Sequence, residues 1–419
     1  DQVVSGKQVC MLLWEQDLIS VEESKIASLK SGKISSYEFM INLIKSLQIT
    51  PAQLGLDPCS GSCVVTDVNT GEVKALVSYP GYDINKLANG VDAKYYAKLN
   101  ADKSQPQWSM ATQQQTAPGS TFKPTQGLIF REEGIVTENT PFPCSGGFVY
   151  GRLKVGCHGH ESPITLKPAL RTSCNAYFCW GLKNMLDKKS KYGSTSEAFE
   201  IWKNYLVDMG YGYRLGIDLP GESRGFIPNS GTYNKFYGNN RWNALTIISI
   251  AIGQGEILAT PLQIANLAAT IANRGYYVAP HVVKEITGEQ IDSIYTERKY
   301  TGIDSRYYEE IVEGMRMAVT GGTCRTANLK DHEVCGKTGT AQNPHGRDHS
   351  AFMGFAPMNN PKIAICVYVE NAGFGATYGV PIGSLMMEKY LNDSIAPERK
   401  YLEQRMFESN TMIFSGYKR

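Results

Sequence analysis

Two blocks of strand-like residues stand far apart in the chain, the first with a period of two, and a long helical stretch lies between them. The first runs Cys63-Val64-Val65-Thr66-Asp67-Val68, turns at Asn69-Thr70-Gly71 and returns over Glu72 to Val77, which predicts a hairpin. The second comprises Glu333 to Gln342, Ser350 to Pro357 and Lys362 to Glu370, followed by a helix-like stretch at Met386 to Leu391. Between the blocks, apolar residues recur at helical spacing from Thr121 to about Glu133 and from Thr172 to about Leu186. Residues 241 to 274, rich in Ala, Ile and Leu but broken at Gly253-Gln254-Gly255 and Pro261, read as two buried helices joined by a loop. This order is not a βαβ repeat. It predicts a mixed α+β chain in which strands from both blocks meet in one mainly antiparallel sheet, flanked by helices, with the helical block inserted as a subdomain.

Residues 1 to 57 form a helical prelude, read as the end of a pedestal or a linker. Three helix starts there pair a capping oxygen with Glu or Gln three residues on: Ser20 with Glu23, Ser35 with Glu38, and Thr50 with Gln53, the last with Pro51 at the first helical position. The apolar runs Val9 to Trp14 and Phe39 to Leu47 are packing faces. Residues 58 to 395 make the main domain. Residues 396 to 419, which include Pro397-Glu398 and many charges, are expected to be an exposed helix and a loose tail.

The balance of 42 Lys plus Arg against 40 Asp plus Glu, with no block of like charge, argues against nucleic acid as a partner. No apolar run approaches the roughly 18 residues of a membrane span. The chain starts at Asp1 without a secretory leader, so an export signal or anchor is expected upstream. Ten cysteines are too few for a disulfide scaffold. Cys144 and Cys157, with His158 and His160 close behind, form the most suggestive group. A Cys144 to Cys157 disulfide, a zinc site using both thiolates and an imidazole, and free buried thiols all fit.

Pro118-Gly119-Ser120-Thr121-Phe122-Lys123 places a hydroxyl at the start of a helical run, with an amine one turn on. A serine attacks only when a base takes its proton, and a lysine serves only if burial or a neighbouring cation lowers its pKa. Alone the motif is weak, since a chain of this composition holds a chance match or two. Ser415 to Lys418 is one, in the tail. Two further groups strengthen it. Ser173-Cys174-Asn175 opens the second helical run, and Gly336-Lys337-Thr338-Gly339-Thr340-Ala341-Gln342 lies on a strand, with a Gly that lets a ligand approach the backbone. Lys30-Ser31-Gly32 fits the last pattern loosely but precedes the nucleophile. His345 and His349 are placed on a solvent-facing turn, and Trp180 in the core.

This ordered set, S-x-x-K, S-x-N and K-T-G, resembles the penicillin-recognising serine enzymes. Further stretches, including Gly253-Gln254-Gly255, Thr260-Pro261-Leu262-Gln263, Phe352 to Pro357 and Val369-Glu370-Asn371, narrow the resemblance to class B penicillin-binding proteins, elongation-type members above all. The resemblance implies a β-lactamase/transpeptidase-like fold and a peptidoglycan D,D-transpeptidase. Ser120 would be acylated by a D-Ala-D-Ala stem peptide, and the acyl group would pass to an amine of a neighbouring stem. Lys123 would act as base, Ser173 would relay a proton with help from Lys337, and Asn175 would hold the substrate amide. Thr338, Gly339 and Thr340 would bind substrate, the two hydroxyls taking the terminal carboxylate. The amides of Ser120 and Thr340 would form the oxyanion hole.

The same resemblance implies inhibition by β-lactams, no metal or organic cofactor in the acyl chemistry, and an extracytoplasmic location. With nothing resembling a glycosyltransferase domain in the chain, a membrane polymerase of the wall-elongation machinery is the expected partner. A hydrolase of the superfamily and a silent β-lactam sensor are the alternatives. No Glu-x-x-Leu-Asn segment of a class A β-lactamase lies between the S-x-N and K-T-G groups, and Ser120, Lys123, Ser173, Asn175 and Lys337 are all present.

Overall fold

Strands from the two blocks pair in a five-stranded antiparallel sheet, ordered Val73–Tyr79, Gly61–Asp67, Ile363–Val369, His349–Ala356 and Cys335–Ala341. The computed structural model describes residues 4–46, 48–49, 56–57, 60–344, 346–409 and 413–414. The central strands read as nearly continuous apolar runs because helices cover both faces. Val64, Ala364 and Cys366 pack with the helix Pro261–Ala272, while Val65, Ile365 and Val367 pack with the helices Gly379–Asn392 and Ser305–Gly321. The helix Pro261–Ala272 is buried along its whole length and starts at a Thr260 and Gln263 capping box with proline at its first position.

The chain divides into two compact units. The larger holds residues 60–79 and 108–411, and the smaller holds 1–59, 80–107 and 412–419. In the smaller unit, the helices Gly6–Glu15, Glu23–Lys30 and Ser36–Lys45 bury Cys10, Ile26, Leu29, Phe39 and Leu43 against one another. The cap at Ser35 forms, with its hydroxyl accepting from the Glu38 amide at 3.1 Å. Ser20 does not cap. Its helix begins at Glu23, with Glu22 in the cap position and no side-chain bond. The first helix starts instead at an unforeseen capping box of Ser5 and Gln8. The start expected at Thr50 lies outside the described residues.

Two helical expectations need correction. The run from Thr172 to Leu186 is broken at Ser173, which lies between the helices Leu166–Thr172 and Asn175–Asp187 in the left-handed conformation. Of the two helices expected between 241 and 274, the first is only a 3₁₀ turn, Ile248–Ile252, ended by Gly253 at φ +71°. Near the end of the chain, the helix Lys400–Glu408 is more firmly held than a loose tail. Leu402 is buried and Arg399 meets the buried Glu388 at 2.7 Å.

Candidate active site

The nucleophile candidate sits on a 3₁₀ turn, Gly119–Phe122, that runs into the helix Lys123–Glu132. The turn is held from below by Phe122, fully buried and edge-on to Trp202 and Tyr211 at 6.2 and 5.7 Å. Burial of one such ring contributes about 2–3 kcal/mol, which fixes the residue two positions from Ser120. From the side, the Gly119 amide donates to the Gly253 carbonyl at 2.9 Å. Gly119 has φ +55°, and a Cβ there would come within 2.7 Å of the Thr340 carbonyl oxygen. This places the turn directly against the strand that carries the K-T-G residues.

Gly339 belongs to the same contact and revises the sequence reading. A side chain at 339 would strike the Thr121 methyl and the Ala351 Cβ, each at 2.9 Å. The glycine therefore seats the nucleophile turn on the strand, and the approach it allows is that of the chain itself.

Ser173 brings the two lysines together. Lys123 and Lys337 are both fully buried. The Lys123 amine donates to the Ser173 carbonyl at 2.7 Å, to the Ser173 hydroxyl at 3.1 Å and to the Asn175 side-chain oxygen at 2.5 Å. The Lys337 amine donates to the same Ser173 hydroxyl at 2.8 Å and to the Thr338 carbonyl at 3.1 Å. Ser173 meets both only because its backbone is left-handed at φ 59°, a conformation that costs a non-glycine residue about 1–3 kcal/mol. Lys123 was expected to reach Ser120. Its bonds among the described residues go to Ser173 and Asn175, while its backbone amide donates to the Ser120 carbonyl and keeps both residues on one turn.

Burial pushes the Lys123 amine down to about 8. Burial, then the Lys123 charge, pushes Lys337 down to about 7. Between these values the pair holds about one proton, so one amine is free to accept while the other stays charged. Below about 7 both amines are protonated and no base is left; above about 8 the remaining positive charge is lost. The rate of acylation by benzylpenicillin is therefore expected to rise through about pH 7 and fall above about 8. Stopped-flow acylation across that range checks it; a flat profile would remove the lysine pair from the proton chemistry.

Ser120, Ser173, Asn175, Thr338 and Thr340 line a single cleft of about 630 Å³. Its far wall is the outer edge of the strand Cys335–Ala341, the last strand of the sheet. The Thr340 carbonyl accepts from the Gln254 amide at 3.2 Å, away from the sheet. In an antiparallel strand the N–H and C=O of one residue point the same way, so the Thr340 amide faces the cleft as an oxyanion donor must.

Three participants went unrecognised. Gln254 was noted only as part of a turn. Thr323, whose hydroxyl accepts from Thr338 at 2.8 Å, carries no motif beyond a preceding pair of glycines. Cys174 was passed over as the middle of S-x-N. His345 lies outside the described residues. His349 opens a strand, half-buried, and its Nδ1 accepts from the Asn371 amide at 3.0 Å, so it is not on a solvent-facing turn. Trp180 packs as expected, edge-on to Phe148 at 4.7 Å.

Of the readings offered for the cysteine group, the Cys144 to Cys157 disulfide does not form. Cys144 and Cys157 are free thiols, and they cluster with His160 and Cys174, all four ligand atoms within 4.8 Å of one another. Tetrahedral zinc with these donors needs ligand separations of about 3.5–3.8 Å, so small shifts would complete the site. His160 sets its Nδ1 2.7 Å from the Glu161 carbonyl and turns Nε2 to the Cys157 sulfur at 3.3 Å. The Asn175 and Tyr177 amides donate to the Cys157 and Cys174 sulfurs at 3.3 and 3.4 Å. Such outer bonds orient and stabilise metal thiolates. A hydrogen bond from Cys174, aided by the Asn175 amide and His160, holds the Cys157 thiol well below its ordinary value, against the effect of burial.

A buried Lys pair converging on a bridging serine, beside a second serine on a helix-starting turn and an open strand edge, defines a serine acyl-transfer site of the penicillin-recognising kind. The model of the penicillin binding protein transpeptidase domain matches residues 61–388, and the chain belongs to that family. A peptidoglycan D,D-transpeptidase MrdA of Haemophilus influenzae is 31% identical over 395 residues, covering 87% of this chain and 58% of that protein. The chain thus spans little more than half the length of this curated relative. A crystal structure of Pseudomonas aeruginosa PBP2 superposes with a TM-score of 0.71 at 28% identity, covering 83% of this chain and 75% of that one. A chain from a structure of a peptidoglycan synthase complex that coordinates polymerization and crosslinking matches at a TM-score of 0.69 and 29% identity, covering 81% of this chain and 57% of that one.

Proposed function

We propose that this chain is the acyl-transfer portion of a peptidoglycan D,D-transpeptidase. The observation that carries the reading is the Ser173 hydroxyl held between the amines of Lys123 and Lys337 in the cleft that Ser120 lines. Ser120 Oγ attacks the carbonyl carbon of the penultimate D-Ala as the lysine pair takes its proton through Ser173. The new C–O bond forms, the C–N bond to the terminal D-Ala breaks, and the departing amine receives the proton by the same relay. Asn175 holds the substrate amide, and the amides of Ser120 and Thr340 take the oxyanion. An amine from a neighbouring stem then attacks the ester, forms the cross-link and returns Ser120.

The relatives' names support this activity, and the synthase-complex match supports a membrane glycosyltransferase as partner. The reading places the chain at the extracytoplasmic face of the membrane, where peptidoglycan is cross-linked; no helix among the described residues is long and apolar enough to cross a membrane. It also includes zinc at Cys144, Cys157, His160 and Cys174 as a structural ion outside the acyl chemistry, carried by the four-ligand geometry.

Incubation with a fluorescent penicillin tests the function. The expected result is label that persists for hours and is abolished by Ser120→Ala. Label lost within minutes would replace the transfer reading with a hydrolase, and no label on the wild type would replace it with a silent module.

A further inference from the structure

We propose that Arg325 is the residue of the cleft that pairs with the substrate's terminal carboxylate, a specificity role that rests on the acyl-transfer reading above. A D-Ala-D-Ala end carries a full negative charge, and a penicillin carries its own carboxylate on the ring fused to the β-lactam. The sequence offers the Thr338 and Thr340 hydroxyls as its binders. In the structure the Thr338 hydroxyl donates to the Thr323 hydroxyl at 2.8 Å. That bond ties Thr338 to the segment 323–326, whose residues Thr323, Arg325 and Thr326 line the cleft with it.

Arg325 stands in that segment, and it is the one Arg or Lys among the residues lining the cleft. Its side chain is exposed, and among the described residues no carboxylate lies within ion-pair distance of it. Other arginines of the same unit are engaged: Arg131, Arg274, Arg316 and Arg399 meet Glu310, Glu309, Glu333 and Glu388. The lysines cannot supply a steady counter-charge. Both amines lie beneath Ser173, and the protons they share are the ones the chemistry moves. A guanidinium stays charged throughout and can bind a carboxylate with two parallel bonds. The division of labour is physical: the buried lysines handle the proton, and the exposed arginine holds the anion.

The test compares benzylpenicillin with its methyl ester, a pair that differs only in the carboxylate. Second-order acylation rates are measured by mass spectrometry for wild type, Arg325→Gln and Arg325→Lys. The pairing predicts that Arg325→Gln lowers the acid-to-ester rate ratio about tenfold and that Arg325→Lys recovers part of it. High salt should lower the ratio in wild type and leave it unchanged in Arg325→Gln. An unchanged ratio, whether both rates fall together or neither falls, overturns the proposal while leaving the acyl-transfer reading intact. Failure of benzylpenicillin to acylate even the wild type would instead sink that reading, and the Arg325 role with it.

Discussion

Lys123→Met is expected to slow acylation by benzylpenicillin about a thousandfold, within the 10²–10⁴ range of a positioned acid–base group. The reason is the geometry at Ser173, whose hydroxyl loses one of its two amine neighbours and with it the lower step of the paired titration. Stability should move far less. The substitution removes an amine whose burial opposes its charge, but it strands the Ser173 carbonyl and the Asn175 oxygen that the amine now satisfies. These two effects oppose one another at about 1–3 kcal/mol each. Thermal melting run beside the kinetics separates the two roles. A melting temperature that falls in step with the rate would make Lys123 a structural strut and not a proton carrier.

Protein purified without added zinc or nickel affinity is expected to contain about one zinc ion per chain, lost in Cys157→Ala. Four converging donors bind zinc tightly enough that removal takes away several kcal/mol of folding stability. At about 2–4 °C per kcal/mol for a domain of this size, chelation should lower the melting temperature by roughly 10 °C. Acylation should fall too, because Cys174 lies between Ser173 and Asn175 and its sulfur accepts from the Tyr177 amide. Elemental analysis and melting curves with and without chelator check this. Metal-free protein that melts at the same temperature with and without chelator would return the cluster to plain thiols.

The sheet was legible because strand signals are local: the first hairpin shows a period of two around its turn, and the central strands, with helices on both faces, stand out as short apolar runs. The site motifs were legible because Ser120, Ser173 and Lys337 keep their order and spacing along the chain. What stayed hidden depends on the backbone or on long-range approach. The left-handed Ser173 reads as helix, since apolar residues recur at helical spacing past it and no Gly or Pro marks the break. Gly339 reads as a place for ligand, because the Thr121 methyl that occupies the space is more than 200 residues away in sequence. Cys174 pairs with cysteines 17 and 30 positions earlier, a spacing no local rule connects.

Among the described residues, the strand Cys335–Ala341 pairs with a strand on one side only, and its other side forms a wall of the cleft. An open strand edge is a template, offering any extended peptide laid along it a ladder of main-chain partners that do not depend on side-chain identity. A ligand bound that way is straightened and held in register before any bond is made or broken. Recognition through the ligand's own backbone leaves the side chains on its outer face free to vary, so sequence tolerance in the bound peptide follows from where this one strand lies in the sheet.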